Sequence, residues 1–81
     1  MPEEKINEVV TVLEELMHDL TVPKNVKQQL QNTILALRTQ GELSMKVSRA
    51  LHELDEVASD SNVEPYTRSQ LWNIVSLLET L

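Results

Sequence analysis

Asp19-Leu20-Thr21-Val22-Pro23 is echoed 41 residues later by Asp60-Ser61-Asn62-Val63-Glu64, and that echo decides the fold. Sliding the chain against itself by this offset aligns 1–40 with 42–81 without a gap. Ten positions are then identical: Lys5/Lys46, Leu13/Leu54, Glu15/Glu56, Asp19/Asp60, Val22/Val63, Gln29/Gln70, Leu30/Leu71, Asn32/Asn73, Leu37/Leu78 and Thr39/Thr80. Conservative pairs surround them, among them Ile6/Val47, Val10/Leu51, Leu16/Val57, Ile34/Val75 and Lys27/Arg68. Two amphipathic helices in register share some apolar positions by chance. Glu15/Glu56 and Asp19/Asp60 lie on the polar side and Val22/Val63 in a turn, where register alone predicts no match.

Outward from the two turns, four segments carry a helical period. Residues 3–20 place Ile6, Val9, Val10, Leu13, Leu16, Met17 and Leu20 on one stripe, with Glu3, Glu4, Glu8, Glu14, Glu15 and Asp19 opposite. Pro23 stops this helix, because its ring pushes Val22 out of the α region, and it also opens the next. Residues 24–40 repeat Val26, Leu30, Ile34 and Leu37, with Thr33 beside them. Gly41, the only glycine, stands where a helix C-terminus calls for positive φ. Residues 43–59 place Leu43, Val47, Ala50, Leu51, Leu54, Val57 and Ala58 on a third stripe, with Ser44 a candidate cap. Asp60 to Glu64 reads as a turn rich in side-chain oxygens, and Pro65 opens a fourth helix through Leu71, Ile74, Val75 and Leu78.

One such hairpin has an apolar face that it cannot bury alone. Two packed face to face about a pseudo-two-fold axis bury both, and short connections favour antiparallel neighbours. The expected fold is all-α: an antiparallel four-helix bundle from a duplicated helical hairpin. It forms one domain over 1–81, with pseudo-repeats 1–40 and 42–81. The alternative is an open hairpin pair that dimerises by swapping.

Composition agrees. The chain has 81 residues, 41 % of them hydrophobic, one Gly, three Pro, no Phe and no Cys. Scarce breakers and two aromatics favour helix over sheet, and absent cysteine excludes disulfides and thiolate metal sites. Met1-Pro2-Glu3-Glu4-Lys5 is charged and leads into no apolar h-region, so no signal peptide is expected, and no apolar run approaches the ~20 residues of a membrane span. The expected location is cytoplasmic. A formal charge of −6 disfavours non-specific binding to nucleic acid and to anionic membranes.

Three stretches together resemble a small archaeal family, the uncharacterised protein family UPF0147. They are Asp19-Leu20-Thr21-Val22-Pro23-Lys24-Asn25-Val26-Lys27, Leu54-Asp55-Glu56, and Asp60-Ser61-Asn62-Val63-Glu64-Pro65-Tyr66-Thr67-Arg68 closing with Leu71-Trp72. The resemblance covers essentially the whole chain. It implies an archaeal cytoplasmic helical bundle and carries over no activity and no site residues. The family's turn usually reads Asp-Pro-Asn-x-Pro; Ser61 and Glu64 stand at its proline positions, which implies a looser turn here.

No motif carries catalysis. Glu15-Leu16-Met17-His18 matches the Glu-x-x-His spacing of di-iron bundles, but the repeat supplies Glu56-Val57-Ala58-Ser59 and the second helix has no acidic residue. His18 and His52 lie off the apolar stripes, and there is neither a glycine-rich phosphate loop nor a nucleophile elbow. The expectation is no enzyme, no metal, no cofactor and no small-molecule substrate.

Charge is unevenly spread. Residues 1–20 sum to −5, 21–40 to +3, 41–60 to −3 and 61–81 to −1. The plain reading pairs acidic and basic helices within each hairpin, with Asp19–Lys27 and Asp60–Arg68 bridging the turns. The functional alternative is an anion- or RNA-binding accessory protein that uses Lys24, Asn25, Lys27 and Arg68 around a helix N-terminus. No stacking aromatic lies near Lys24, Asn25 and Lys27 in sequence. Leu35, Trp72 and Leu77 fall off or at the edges of the main stripes and form the candidate interface, with Trp72 either a lid on the core or a contact residue. The leading reading is a non-enzymatic helical protein-interaction module, in its simplest form a homodimer.

Overall fold

The computed structural model describes residues 2–81 and folds into four helices. They are α1 (Pro2–Met17), α2 (Lys24–Arg38), α3 (Leu43–Ala58) and α4 (Pro65–Glu79). Each packs on two neighbours in the cycle α1–α2–α3–α4–α1, and the diagonal pairs make no close backbone approach among the described residues. With short connections this is an antiparallel four-helix bundle. Its radius of gyration, 11.7 Å, equals the ~11.7 Å expected for a closed domain of this length, so the two hairpins close on each other.

Burial follows the 41-residue offset. Val9 and Ala50, Leu13 and Leu54, Leu16 and Val57, Val22 and Val63, Val26 and Thr67, Leu30 and Leu71, Thr33 and Ile74, and Leu37 and Leu78 are all buried. The buried hydroxyl of Thr33 is satisfied locally, donating to the carbonyl of Gln29 at 2.9 Å.

The helix ends depart from the periodic pattern. The first helix ends at Met17, not at residue 20, and Leu20 is 94 % exposed although its spacing put it on the apolar stripe. The amides of His18 and Asp19 bond three residues back, to Glu15 and Leu16, which tightens the last turn and breaks the 3.6-residue period. Asp19 Oδ1 then accepts from the amide of Thr21 at 2.9 Å and from its hydroxyl at 2.7 Å, fixing a turn that turns Leu20 outward. The second helix ends at Arg38, and its C-cap is Thr39, with extended backbone. Gly41 does adopt a positive φ of 149°, but in the connection beyond the cap and not as the helix-ending residue. Glu42, and not Ser44, is the N-cap of α3, with no side-chain capping bond.

The second turn repeats the first. Asp60 Oδ1 accepts from the amide of Asn62 at 2.8 Å, and the amides of Val22 and Val63 each reach the carbonyl of the preceding Asp at 3.2 Å. Glu64, the repeat equivalent of Pro23, has φ −67° and ψ 152°, against −61° and 154° at Pro23. The two positions therefore share one backbone conformation.

The two inter-hairpin seams are unequal. α2 and α3 run close together over most of their length, while α4 and α1 touch over less. Side-chain size accounts for it: Thr33, Ala36 and Ala50 on the α2/α3 side correspond to Ile74, Leu77 and Val9 on the α4/α1 side. Gln29 Nε2 donates across the close seam to Glu56 Oε2 at 3.3 Å, and Lys5 Nζ reaches Thr80 Oγ1 at 3.0 Å across the other.

Candidate functional site

Two of the four residues in the candidate anion-binding cluster, Asn25 and Arg68, are held by internal contacts. Asn25 donates its side-chain amide to Asp60 Oδ2 at 3.0 Å, tying the first turn of α2 to the turn between α3 and α4. Arg68, half-buried, donates from Nε to the carbonyl of Ala58 at 2.9 Å and from Nη2 to those of Asp60 at 3.0 Å and Val63 at 3.3 Å. The expected Asp60–Arg68 and Asp19–Lys27 bridges do not form. Arg68 is drawn instead to the free carbonyl at the end of α3 and to carbonyls of the following turn, and Asp19 is bonded within its own turn. Lys27 and Arg68 still act on the two carboxylates through their charge. Among the described residues no Lys or Arg lies within ion-pair distance of a carboxylate, and His52 Nε2 stands 3.1 Å from Glu56 Oε1. Of the four cluster residues Asn25 and Arg68 are held by side-chain hydrogen bonds, while Lys24 and Lys27 make none among the described residues.

Glu15 and His18 are both exposed. Among the described residues no three His, Asp or Glu side chains gather in a way that could hold a metal ion.

Leu35, Trp72 and Leu77 do not converge. Leu35, 54 % exposed, lines a groove between α1 and α2 with Met17 and Ile34, and a second one between α2 and α3. Trp72, 46 % exposed, lines the groove between α3 and α4. Leu77, 36 % exposed, is on the same helix as Trp72 but five residues on, about 140° around the axis.

The coherent surface is the α3/α4 groove. Two adjoining cavities share Leu51 and Glu79 and together run from Leu43 and Leu81 at one end to Asp55 and Trp72 at the other. Half-buried Leu43, Val47, Leu51, Val75 and Leu81 pack on the core and also line this groove. Their repeat partners Ile6, Val10 and Ile34, equivalent to Val47, Leu51 and Val75, are buried. The same positions that seal the first hairpin therefore present apolar surface in the second.

The sequence names Trp72 as a candidate contact residue and places Leu43, Val47 and Leu51 on an apolar stripe. The signal was present in the repeat alignment: Gln31 becomes Trp72, Gln40 becomes Leu81 and Arg38 becomes Glu79. Two polar positions of the first hairpin turn apolar in the second and a basic one becomes acidic, while Leu35 becomes Ser76 in the opposite sense.

Residues 1–81 match the model of the family described as "Uncharacterised protein family (UPF0147)". The UPF0147 protein MJ1419 of Methanocaldococcus jannaschii is 38 % identical over 79 residues, which covers 96 % of this chain and 85 % of the relative. The UPF0147 protein Ta0600 of Thermoplasma acidophilum is 42 % identical over 76 residues, 93 % and 86 % of the two chains. A crystal structure of MMP1188, a protein described as of unknown function, is similar with a TM-score of 0.95 and 36 % identity, covering 100 % of this chain and 93 % of that one. A crystal structure of a UPF0147 protein from Thermoplasma acidophilum gives a TM-score of 0.90 at 40 % identity, covering 98 % and 94 %.

Proposed function

Since this chain belongs along its whole length to UPF0147, a family to which no enzymatic or specific binding role is assigned, we propose a function read from its own surface: a non-enzymatic helical module that binds protein through the α3/α4 groove. One observation carries the reading. The groove exposes a contiguous apolar strip at positions where the equivalent hairpin buries its own, and contiguous exposed apolar surface marks contact sites. Trp72 at one end adds the residue type most favoured at the energetic centre of interfaces.

The anion- or RNA-binding alternative is not favoured. Arg68 is engaged at carbonyl oxygens, Lys27 acts on the charge of Asp19, and the chain as a whole is acidic. No helix among the described residues is long and apolar enough to cross a membrane.

A photo-crosslinking residue at Ser76, on the groove, is compared in growing cells with one at Glu8 on the exposed side of α1. Discrete protein adducts from Ser76 and none from Glu8 are the expected result. Equal adducts from both positions, or none from Ser76, would remove the groove from contention. Light scattering over a range of concentrations separates contact with a second copy from contact with another protein.

A further inference from the structure

Resting on that reading, we infer that the α3/α4 groove takes a basic amphipathic helix from another protein, its apolar stripe on the groove floor and its Lys or Arg residues on the rim. Shape, charge and comparison with the other hairpin point the same way.

The floor is formed by Val47, Leu51 and Val75, with Leu43 and Leu81 at one end and Trp72 at the other. From Leu43 to Asp55 the groove follows α3 for about 18 Å at 1.5 Å per residue, the length of a three-turn helix. An exposed seam between two antiparallel helices accepts a third through anchors spaced i, i+3, i+4 and i+7. An extended peptide has no strand edge here on which to pair.

The rim sets the sign. Asp55 stands on the α3 side and Glu79 on the α4 side, and no Lys or Arg lines the groove. The only nitrogen base there, His52, is held against Glu56 at 3.1 Å. The remaining rim positions, Ser44, Ser48 and Ser76, are small and uncharged, so they leave the acidic pair unopposed. A second copy fits this rim poorly, because a face-to-face dimer brings Asp55 and Glu79 of each molecule against the same acidic rim of the other. Like charges across an interface are a device against the wrong partner.

The first hairpin supplies the internal control. Its groove has Gln31 where Trp72 stands, and it sets Arg38 beside Glu14. There Met17, Ile34 and Leu35 also give an apolar groove, but Arg38 opposes Glu14 on its rim. In the second hairpin Trp72 replaces Gln31 and Glu79 replaces Arg38, which leaves a rim of one sign. Core stability alone asks for neither change.

The test uses the full chain and three synthetic 14-residue helical peptides without Trp, with Leu at i, i+3, i+4 and i+7 spacing and Lys, Gln or Glu at the remaining positions. Trp72 is the only tryptophan, so its emission reports occupation directly. The Leu/Lys peptide is expected to shift the emission to the blue saturably, with affinity that falls as salt rises, while the Leu/Glu peptide leaves it unchanged. Asp55→Lys with Glu79→Lys is expected to weaken the Leu/Lys peptide at least about tenfold, and Asp55→Asn with Glu79→Gln by less, in keeping with paired rim charges. Glu4→Lys with Glu8→Lys makes the same change in net charge on α1 and is expected to change affinity by less than about twofold. Equal weakening by the α1 pair would reduce the effect to net charge and overturn the assignment. Equal binding of the Leu/Gln peptide would overturn the basic partner and leave the groove standing as a contact site. Failure of all three peptides, or a dimer that hides Trp72, would overturn the heterologous helix.

Discussion

Arg68 Nε, in the first turn of α4, donates to the carbonyl oxygen of Ala58, the last residue of α3, at 2.9 Å. With its Nη2 on the carbonyls of Asp60 and Val63, one guanidinium serves three acceptors, of which only that of Asp60 also accepts from a backbone amide in the turn. The repeat-equivalent Lys27 makes no such bond. Arg68→Ala is therefore expected to cost about 2 kcal/mol, in the range for hydrogen bonds involving a charged partner. That lowers the midpoint of thermal unfolding by roughly 8–16 °C in a domain of this size. Arg68→Lys should recover only part, since an ammonium cannot span the fork, and Lys27→Ala should stay within about 0.5 kcal/mol. Equal losses at the two positions, measured by circular dichroism melts, would show that Arg68 is not the staple.

Glu64 has the backbone of a proline without being one. Its φ of −67° lies within the proline ring's range, its amide makes no backbone hydrogen bond outside the helices, and its counterpart Pro23 has nearly the same dihedrals. Glu64→Pro should raise stability by about 0.4–1 kcal/mol, chiefly by restricting the unfolded chain. Pro23→Glu should lose a similar amount. Urea unfolding midpoints measure both, and a destabilised Glu64→Pro would mean that Val63 cannot accept a following proline.

What could be read from the sequence followed from periodicity, and what could not followed from local hydrogen bonding and from differences between the halves. The stripes through Leu13, Leu30, Leu54 and Leu71 name residues that are all fully buried, because a 3.6-residue period and a buried face are one constraint. Leu20 satisfied that period and is exposed, because the carboxylate of Asp19 competes for the next amides and ends the helix. Arg68 read as half of a surface ion pair, since opposite charge is visible in a sequence and an open carbonyl is not. The groove was missed for another reason. Val47 and Leu51 have the pattern of core residues, and only their packing distinguishes them from Ile6 and Val10.

Asp19 and Asp60 carry the acid sensitivity of the turns. The amide of Thr21, then its hydroxyl, then the charge of Lys27 hold the Asp19 carboxyl below the usual range near ~3.9. The amide of Asn62, then the side chain of Asn25, then Arg68 do the same for Asp60. With the folded value below the unfolded one, the unfolded chain binds more protons in this interval. The contribution is present above the unfolded value and is lost as pH falls through the folded one. Asp19→Asn with Asp60→Asn keeps an acceptor in each turn but removes the charge. The variant should show a flatter loss of stability between about pH 5 and pH 2 than the parent. Parallel curves from denaturant titrations across that range would place the acid sensitivity elsewhere.

The unequal seams make a prediction in which each half of the chain supplies the other's test. If Ala50 and Ala36 let α2 and α3 approach closely, then giving them the side chains of their equivalents, Val9 and Leu77, should force the seam open. Ala50 is fully buried, so Ala50→Val inserts two methyl groups where no space is left, at an expected cost of about 1–3 kcal/mol. Ala36 lines the cavity at the edge of the same seam and has room on one side, so Ala36→Leu should cost less than Ala50→Val. The reciprocal change has another cause and another size. Val9→Ala leaves a cavity at a seam already held wider by Ile74 and Leu77, and the loss is that of a buried side chain with little collapse to relieve it. Hydrogen exchange in Ala50→Val should speed up at the α2 and α3 amides before those of α1. Uniform acceleration through all four helices would mean that the bundle opens as one unit and that small residues do not set its asymmetry.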